Sequence, residues 1–154
     1  MITDASGPQS LTQNTGKARL WGGDIDLSIE PVEGLTLGGT FSYFDGKFTK
    51  QNGIVIGAGG VPVNLVGLKY RSQPKTQFTL SAAYTMPVGE ESNVEASVFY
   101  SHTQGYYASY DVLPGNFIPS YDLLNARIGI TNIAGSGVGL AVFGKNLKIG
   151  RAHV

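Results

Sequence analysis

IPSYDLLNARIGITNIAGSGVGLAVFGKNL, Ile118–Leu147, decides the fold of this chain. In its first half Leu124, Ala126, Ile128 and Ile130 share one parity, and Asn125, Arg127 and Thr131 the other. In its second half Val138, Leu140 and Val142 alternate with Gly139, Ala141 and, further on, Lys145. Between them Asn132, Ile133, Ala134, Gly135, Ser136 and Gly137 make a connection rich in turn formers. Two period-2 runs around a glycine-containing turn read as a β-hairpin. A helix would scatter the four apolar residues, because each step of two residues rotates about 200°.

The same design recurs upstream. Asp24, Asp26, Ser28 and Glu30 alternate with Ile25, Leu27 and Ile29. A tight turn at Pro31-Val32-Glu33-Gly34 follows, then Leu35, Leu37, Gly39, Phe41 and Tyr43 on one parity. A third strand carries Phe78, Leu80, Ala82 and Tyr84 against Gln77, Thr79, Ser81 and Thr85, and turns at Pro87–Ser92. A fourth has Val94, Ala96, Val98 and Tyr100 facing away from Glu95, Ser97 and Ser101, with Phe99 as an aromatic on the polar side. Long connections span Asp45–Pro74, part of which extends a neighbouring strand, and Thr103–Pro119. Residues 1–17 read as a loop remnant or frayed tail, being polar without period. Connections thus run short, long, short, long, short. The fold expected is all-β: an antiparallel up-and-down meander of about six strands, forming a curved partial wall of a transmembrane β-barrel.

Composition agrees. The 154 residues balance 11 basic against 11 acidic side chains, so nothing suggests a nucleic-acid surface. Charged residues are only 14 %, with Gly 22, Tyr 8 and Phe 7. Absence of cysteine excludes disulfides and thiolate metal sites. No apolar run is long enough for a transmembrane helix. The start, MITDASGPQS, has no apolar leader, and Met1 reads as an internal methionine of a longer chain.

Parity also gives candidate faces. Ile25, Leu27, Ile29, Leu35, Leu37, Leu80, Val94, Val98, Leu124, Ile128, Ile130, Leu140 and Val142 are the expected lipid-facing set. Asp24, Asp26, Glu95, Asn125 and Arg127 are the expected lumen-facing polar set, with the aspartates partnered by cations such as Arg127. A soluble or surface-exposed β-sandwich binding module has the same alternation, its apolar parity forming a core. Few Lys or Glu on the polar side, and aromatics near strand ends (Trp21, Tyr43, Phe44, Tyr84, Tyr100, Tyr121), tilt the reading toward a membrane wall.

Three pieces carry a family resemblance: GKARLWGGDIDLSIEPVEGLTLGGTFSYFDGKF (Gly16–Phe48), IPSYDLLNARIGI (Ile118–Ile130) and VGLAVFGKNL (Val138–Leu147). Together they resemble the C-terminal part of the barrel of a TonB-dependent outer-membrane receptor. The family barrel has about 22 strands around a plug; by resemblance residues 18–147 form a partial barrel stopping before the last strand, with no plug, TonB box or closing aromatic strand. The resemblance implies a parent in the outer membrane of a Gram-negative bacterium. That parent imports a scarce small-molecule solute (ferric siderophore, cobalamin or glycan), with outer-membrane lipid, a plug domain and the TonB energy-coupling protein as partners. The fragment itself is expected not to transport. A piece of a smaller porin-like barrel is a further alternative. Ile149–Val154, IGRAHV, looks like the translation of a sequencing-library adapter, ATC GGA AGA GCA CAC GTC, so residues 148–154 are read as an artefactual tail.

No catalytic chemistry is expected. Of the two histidines, His153 lies in that tail and His102 at the mouth of a loop, where a solvated or packed role outweighs a ligand or base. Asp24 and Asp26, about 7 Å apart along a strand, lack a third ligand. Gly57-Ala58-Gly59-Gly60 lacks phosphate-loop spacing, and Gly135-Ser136-Gly137 is a turn rather than a nucleophile elbow. No metal and no cofactor are expected. Tyr106, Tyr107 and Tyr110, in the second long loop, are the candidate solute contacts.

Overall fold

A computed structural model describes residue 14 and residues 16–57, 60–109 and 114–148. Its strands are β1 Gly16–Val32, β2 Leu35–Gln51, β3 Val55–Ile56, β4 Pro62–Val63, β5 Thr76–Val88, β6 Ser92–Thr103, β7 Tyr106–Tyr107, β8 Phe117–Ile118, β9 Tyr121–Thr131 and β10 Leu140–Gly144. Six of them form one open antiparallel sheet in the order β1-β2-β5-β6-β9-β10. Each main strand therefore lies beside its neighbour in sequence, as the alternation of short and long connections requires. β3–β4 and β7–β8 are small hairpins within the two long connections.

Register sorts the side chains into two faces, because residues directly opposite in a ladder point the same way. One row reads Leu27, Gly39, Leu80, Tyr100 and Leu124. Another reads Leu35, Tyr84, Ala96, Ile128 and Val142. The intervening rows are mostly polar or small: Asp26, Thr40, Thr79 and Ser101 in one, which ends at Leu123, and Ala83, Ser97 and Arg127 in another, which ends at Phe143.

Two expectations are corrected and one is met. β1 begins at Gly16 rather than near Asp24. β2 runs through Gln51, so residues 45–51 are the part of the long connection that extends a neighbouring strand, as expected. The two strands hold each other in a ribbon from Gly16↔Gln51 downward, with a register shift at Lys17/Ala18. Gly46 makes this possible: a Cβ there would stand 3.2 Å from Leu20 Cγ and 3.3 Å from Tyr70 Cβ. β10 starts at Leu140 and not at Val138, whose carbonyl closes the preceding turn by accepting the Ile133 N–H at 2.9 Å.

The short turns are built from left-handed residues. Gly34 has φ 76° and Gly89 φ 71°. Before β10, Asn132 (φ 51°) and Ala134 (φ 50°) flank Ile133 in the 3₁₀ turn Ile133–Gly135. This turn is laced to the β5–β6 turn. Asn132 Nδ2 donates to the Glu91 carbonyl at 2.7 Å, Ser92 Oγ to the Asn132 carbonyl at 3.1 Å, and the Ala134 N–H to Ser92 Oγ at 3.2 Å.

Almost nothing is interior. Among the described residues only Phe48 and Leu65 are buried apolar side chains. They belong to the fold-back of residues 52–75 over the end of β2, where Phe48 stacks on Tyr70 at 5.5 Å and Gln51 Oε1 accepts the Leu65 N–H at 2.6 Å. The apolar rows of the sheet are bare: Ile25 is 65 % exposed, Leu27 58 %, Leu80 55 %, Ile128 58 % and Val142 69 %.

Candidate functional site

The long connections meet at one end of the sheet and make its most structured surface. The Ser72 N–H donates to the Tyr107 carbonyl at 2.8 Å, and Ser72 Oγ to the Ala108 carbonyl at 3.4 Å, so the first loop is pinned to the second. Ser72 holds a left-handed φ of 55° to do this. Below the junction, Asp24, Ser42 and Gln77 form one row of the polar face. With Phe44, Ser72 and Gln73 they enclose a cavity of about 360 Å³. The Asp24 carboxylate, two glutamine amides and two serine hydroxyls, with Tyr43 and Phe44 beside them, can hold a hydrogen-bonding solute, and no cation lines the cavity to cancel the charge of Asp24.

Tyr106 and Tyr107 stand beside this mouth in the β7–β8 hairpin, paired with Ile118 and Phe117. The Tyr107 and Phe117 rings meet at 5.0 Å. Tyr110 lies outside the described residues. Sequence reasoning did not reach Ser72, Gln73 or Gln77 as mouth residues, since only the loop fold-back brings the first two over β2.

Comparison with known families returns one match, described as "TonB dependent receptor-like, beta-barrel", over residues 1–147. The chain belongs to this TonB-dependent receptor β-barrel family. No curated protein and no solved structure matches it significantly. The open sheet is then part of a receptor barrel wall, as the parity rows had indicated.

Within that receptor wall, the other polar-face feature is a groove of about 310 Å³ between Phe99 and Phe143, floored by Ser81, Ala83 and Ser97. Asn125 and Arg127 rise beside it, and Asn125 Oδ1 accepts the Asn146 N–H at 2.9 Å. Arg127 Nη1 lies 2.9 Å from Glu95 Oε2. This overturns the expected partnership of Arg127 with Asp24 and Asp26. β2, β5 and β6 separate β1 from β9, so no arginine side chain spans the distance. Both members of the pair are more than a third exposed, at 43 % and 37 %. A double-mutant cycle of Arg127→Ala and Glu95→Ala in detergent should therefore give a coupling below about 1 kcal/mol; a larger value would mean the pair is shielded from water.

On the opposite, apolar face a polar cluster went unforeseen. His102 Nδ1 lies 2.7 Å from Asp122 Oδ1, and Tyr100 Oη donates to the same oxygen at 2.8 Å. Phe78 stacks against His102 at 5.3 Å and meets the Tyr100 ring at a tilt, 5.9 Å between centroids. The signal was in the register alone: Asp122 follows His102 by twenty residues, |i−j|=20, and only the β6–β9 ladder sets them opposite. Among the described residues no three His, Cys, Asp or Glu side chains gather as a metal-holding group.

Proposed function

We propose that this chain is wall and loop from a receptor that imports a scarce solute (ferric siderophore, cobalamin or glycan) across a Gram-negative outer membrane. A plug inside the barrel and the TonB energy-coupling protein complete that parent. The observation that carries the reading is the bare apolar face: exposed Ile, Leu or Val side chains recur on it from β1 to β10, with no second layer upon them among the described residues. Hydrocarbon is the medium such a face suits, and a β-sheet can meet it only as part of a barrel. On this reading the apolar set from Ile25 to Val142 meets lipid, and Asp24, Asp26, Glu95, Asn125 and Arg127 meet the lumen. Tyr106 and Tyr107 stand where an entering solute passes, and Tyr110 is a further candidate contact by sequence. Residues 18–147 supply the wall and residues 148–154 a tail of no function. About eight strands are the fewest that close a barrel, so six do not enclose a channel and the chain alone does not transport.

The chain has no cysteine, so single cysteines can report on each face. Leu27→Cys and Ile128→Cys, labelled with a fluorophore in bilayers, should be quenched by brominated acyl chains. Thr40→Cys and Ser97→Cys should answer instead to a water-soluble quencher. Equal lipid quenching at all four would end the two-face assignment.

A further inference from the structure

The apolar face ends, toward the loops, in an aromatic pair. Trp21 and Tyr43 lie on it with ring centroids 5.2 Å apart. Lys75 closes the group, with its ammonium 5.3 Å from the Tyr43 ring centroid and 3.7 Å from Asp45 Oδ1. The Tyr43 side chain first, and the Asp45 carboxylate after it, hold the Lys75 ammonium above its ordinary pKa. Two residues farther along the strands, about 7 Å, comes a row of another kind. Arg19 stands directly opposite Lys47, and Lys47 directly opposite Lys69. All three are exposed, and none has an ion pair among the described residues.

Like charges directly opposite one another destabilise a sheet. Lys47 is the telling member, because segments of this chain flank it on both sides and both present a cation. A strand added beyond β1 can answer Arg19 but does not reach Lys47 within the row. The row is therefore built for an external anion. Its height decides which: it shares a face with the bare apolar rows and lies just beyond an aromatic pair of the kind that marks a membrane–water interface.

We propose that Arg19, Lys47 and Lys69 form a binding site for the phosphate-bearing headgroup of a lipid in the leaflet at the loop end of the barrel. The lipid's acyl chains lie along the apolar rows below, and its phosphate bridges three cations that otherwise repel. The inference rests on the lipid-facing assignment proposed above.

The test uses the full chain in bilayer nanodiscs of phosphatidylcholine alone or with phosphatidic acid. Acyl-chain quenching at Leu27→Cys reports on the lipid-facing assignment, and retention of phosphatidic acid on the headgroup site. About 1 kcal/mol per cation near an anionic surface makes each single Gln replacement weaken retention about fivefold, and Arg19→Gln/Lys47→Gln/Lys69→Gln together about a hundredfold. In phosphatidylcholine the triple variant should melt no lower than the parent, since repulsion has been removed; this separates loss of binding from loss of fold. Lys47→Arg should retain the lipid. Equal retention by the parent and the triple variant, with Leu27→Cys still quenched by lipid, would overturn the headgroup site alone. Equal stabilisation of the parent by inorganic phosphate at matched concentration would overturn it too, by showing a site for a soluble anion.

Discussion

Leu80→Arg should lower the stability of the bilayer-embedded chain by about 2–4 kcal/mol, the cost of a cation on the hydrocarbon side near mid-membrane. Leu80 lies in the middle of β5, 55 % exposed on the apolar face, between Gly39 and Tyr100. Its neighbour Thr79 sits at the same depth on the other face, where its hydroxyl bonds that of Thr40 at 2.7 Å. Thr79→Arg loses only that exposed hydroxyl pair, about 1 kcal/mol at most. Urea titrations of both variants from vesicles, followed by Trp21 fluorescence, give the comparison. Equal costs at two adjacent positions would show that both faces meet the same medium, and the barrel assignment of the faces would fall.

The second large effect is expected at a turn. Gly34 adopts φ 76°, and a Cβ there would run into the Thr85 carbonyl oxygen. That contact is with backbone, so no rotamer change relieves it. The Gly34 carbonyl also accepts the Thr85 N–H at 2.9 Å, which ties the β1–β2 turn to β5. Gly34→Ala therefore combines left-handed strain of about 1–2 kcal/mol with loss of a ladder-end hydrogen bond of about 1 kcal/mol, about 2–3 kcal/mol in all. Gly89 is the internal comparison: φ 71°, with nothing within 4 Å of an added Cβ. Gly89→Ala should cost the strain alone, about 1–2 kcal/mol and about 1 kcal/mol less than Gly34→Ala. If the two substitutions prove equal in a urea titration, the close approach of Gly34 to β5 is not present in solution.

How much of this was legible depended on how local each signal is. Strand β9 was read within a few residues because Leu124, Ala126, Ile128 and Ile130 carry a period that no other element tolerates. The loop end of β1 was missed because Gly22-Gly23 interrupts the alternation and residues 1–17 are polar without period. The extension of β2 was expected only as some part of the long connection, without bounds, since Gly46 and the lysines at 47 and 50 resemble a loop. Strand character there comes from the partner across the ladder and not from propensity. The Arg127 partnership failed because charge complementarity is visible in a sequence while strand order is not. The mouth cavity and the His102–Asp122–Tyr100 cluster were out of reach for the same reason: each joins residues that only register or a folded-back loop brings together.

Strand order has one more consequence. Every ladder of the main sheet joins strands that follow one another along the chain, so no pairing awaits a distant segment. Search entropy for the tight connections at residues 33–34 and 89–91 is small. Each hairpin thus presents a paired edge to the one that follows it in the chain. A barrel of this kind can be lengthened or shortened by whole hairpins without redrawing the remainder, which suits an architecture whose circumference varies widely among its members.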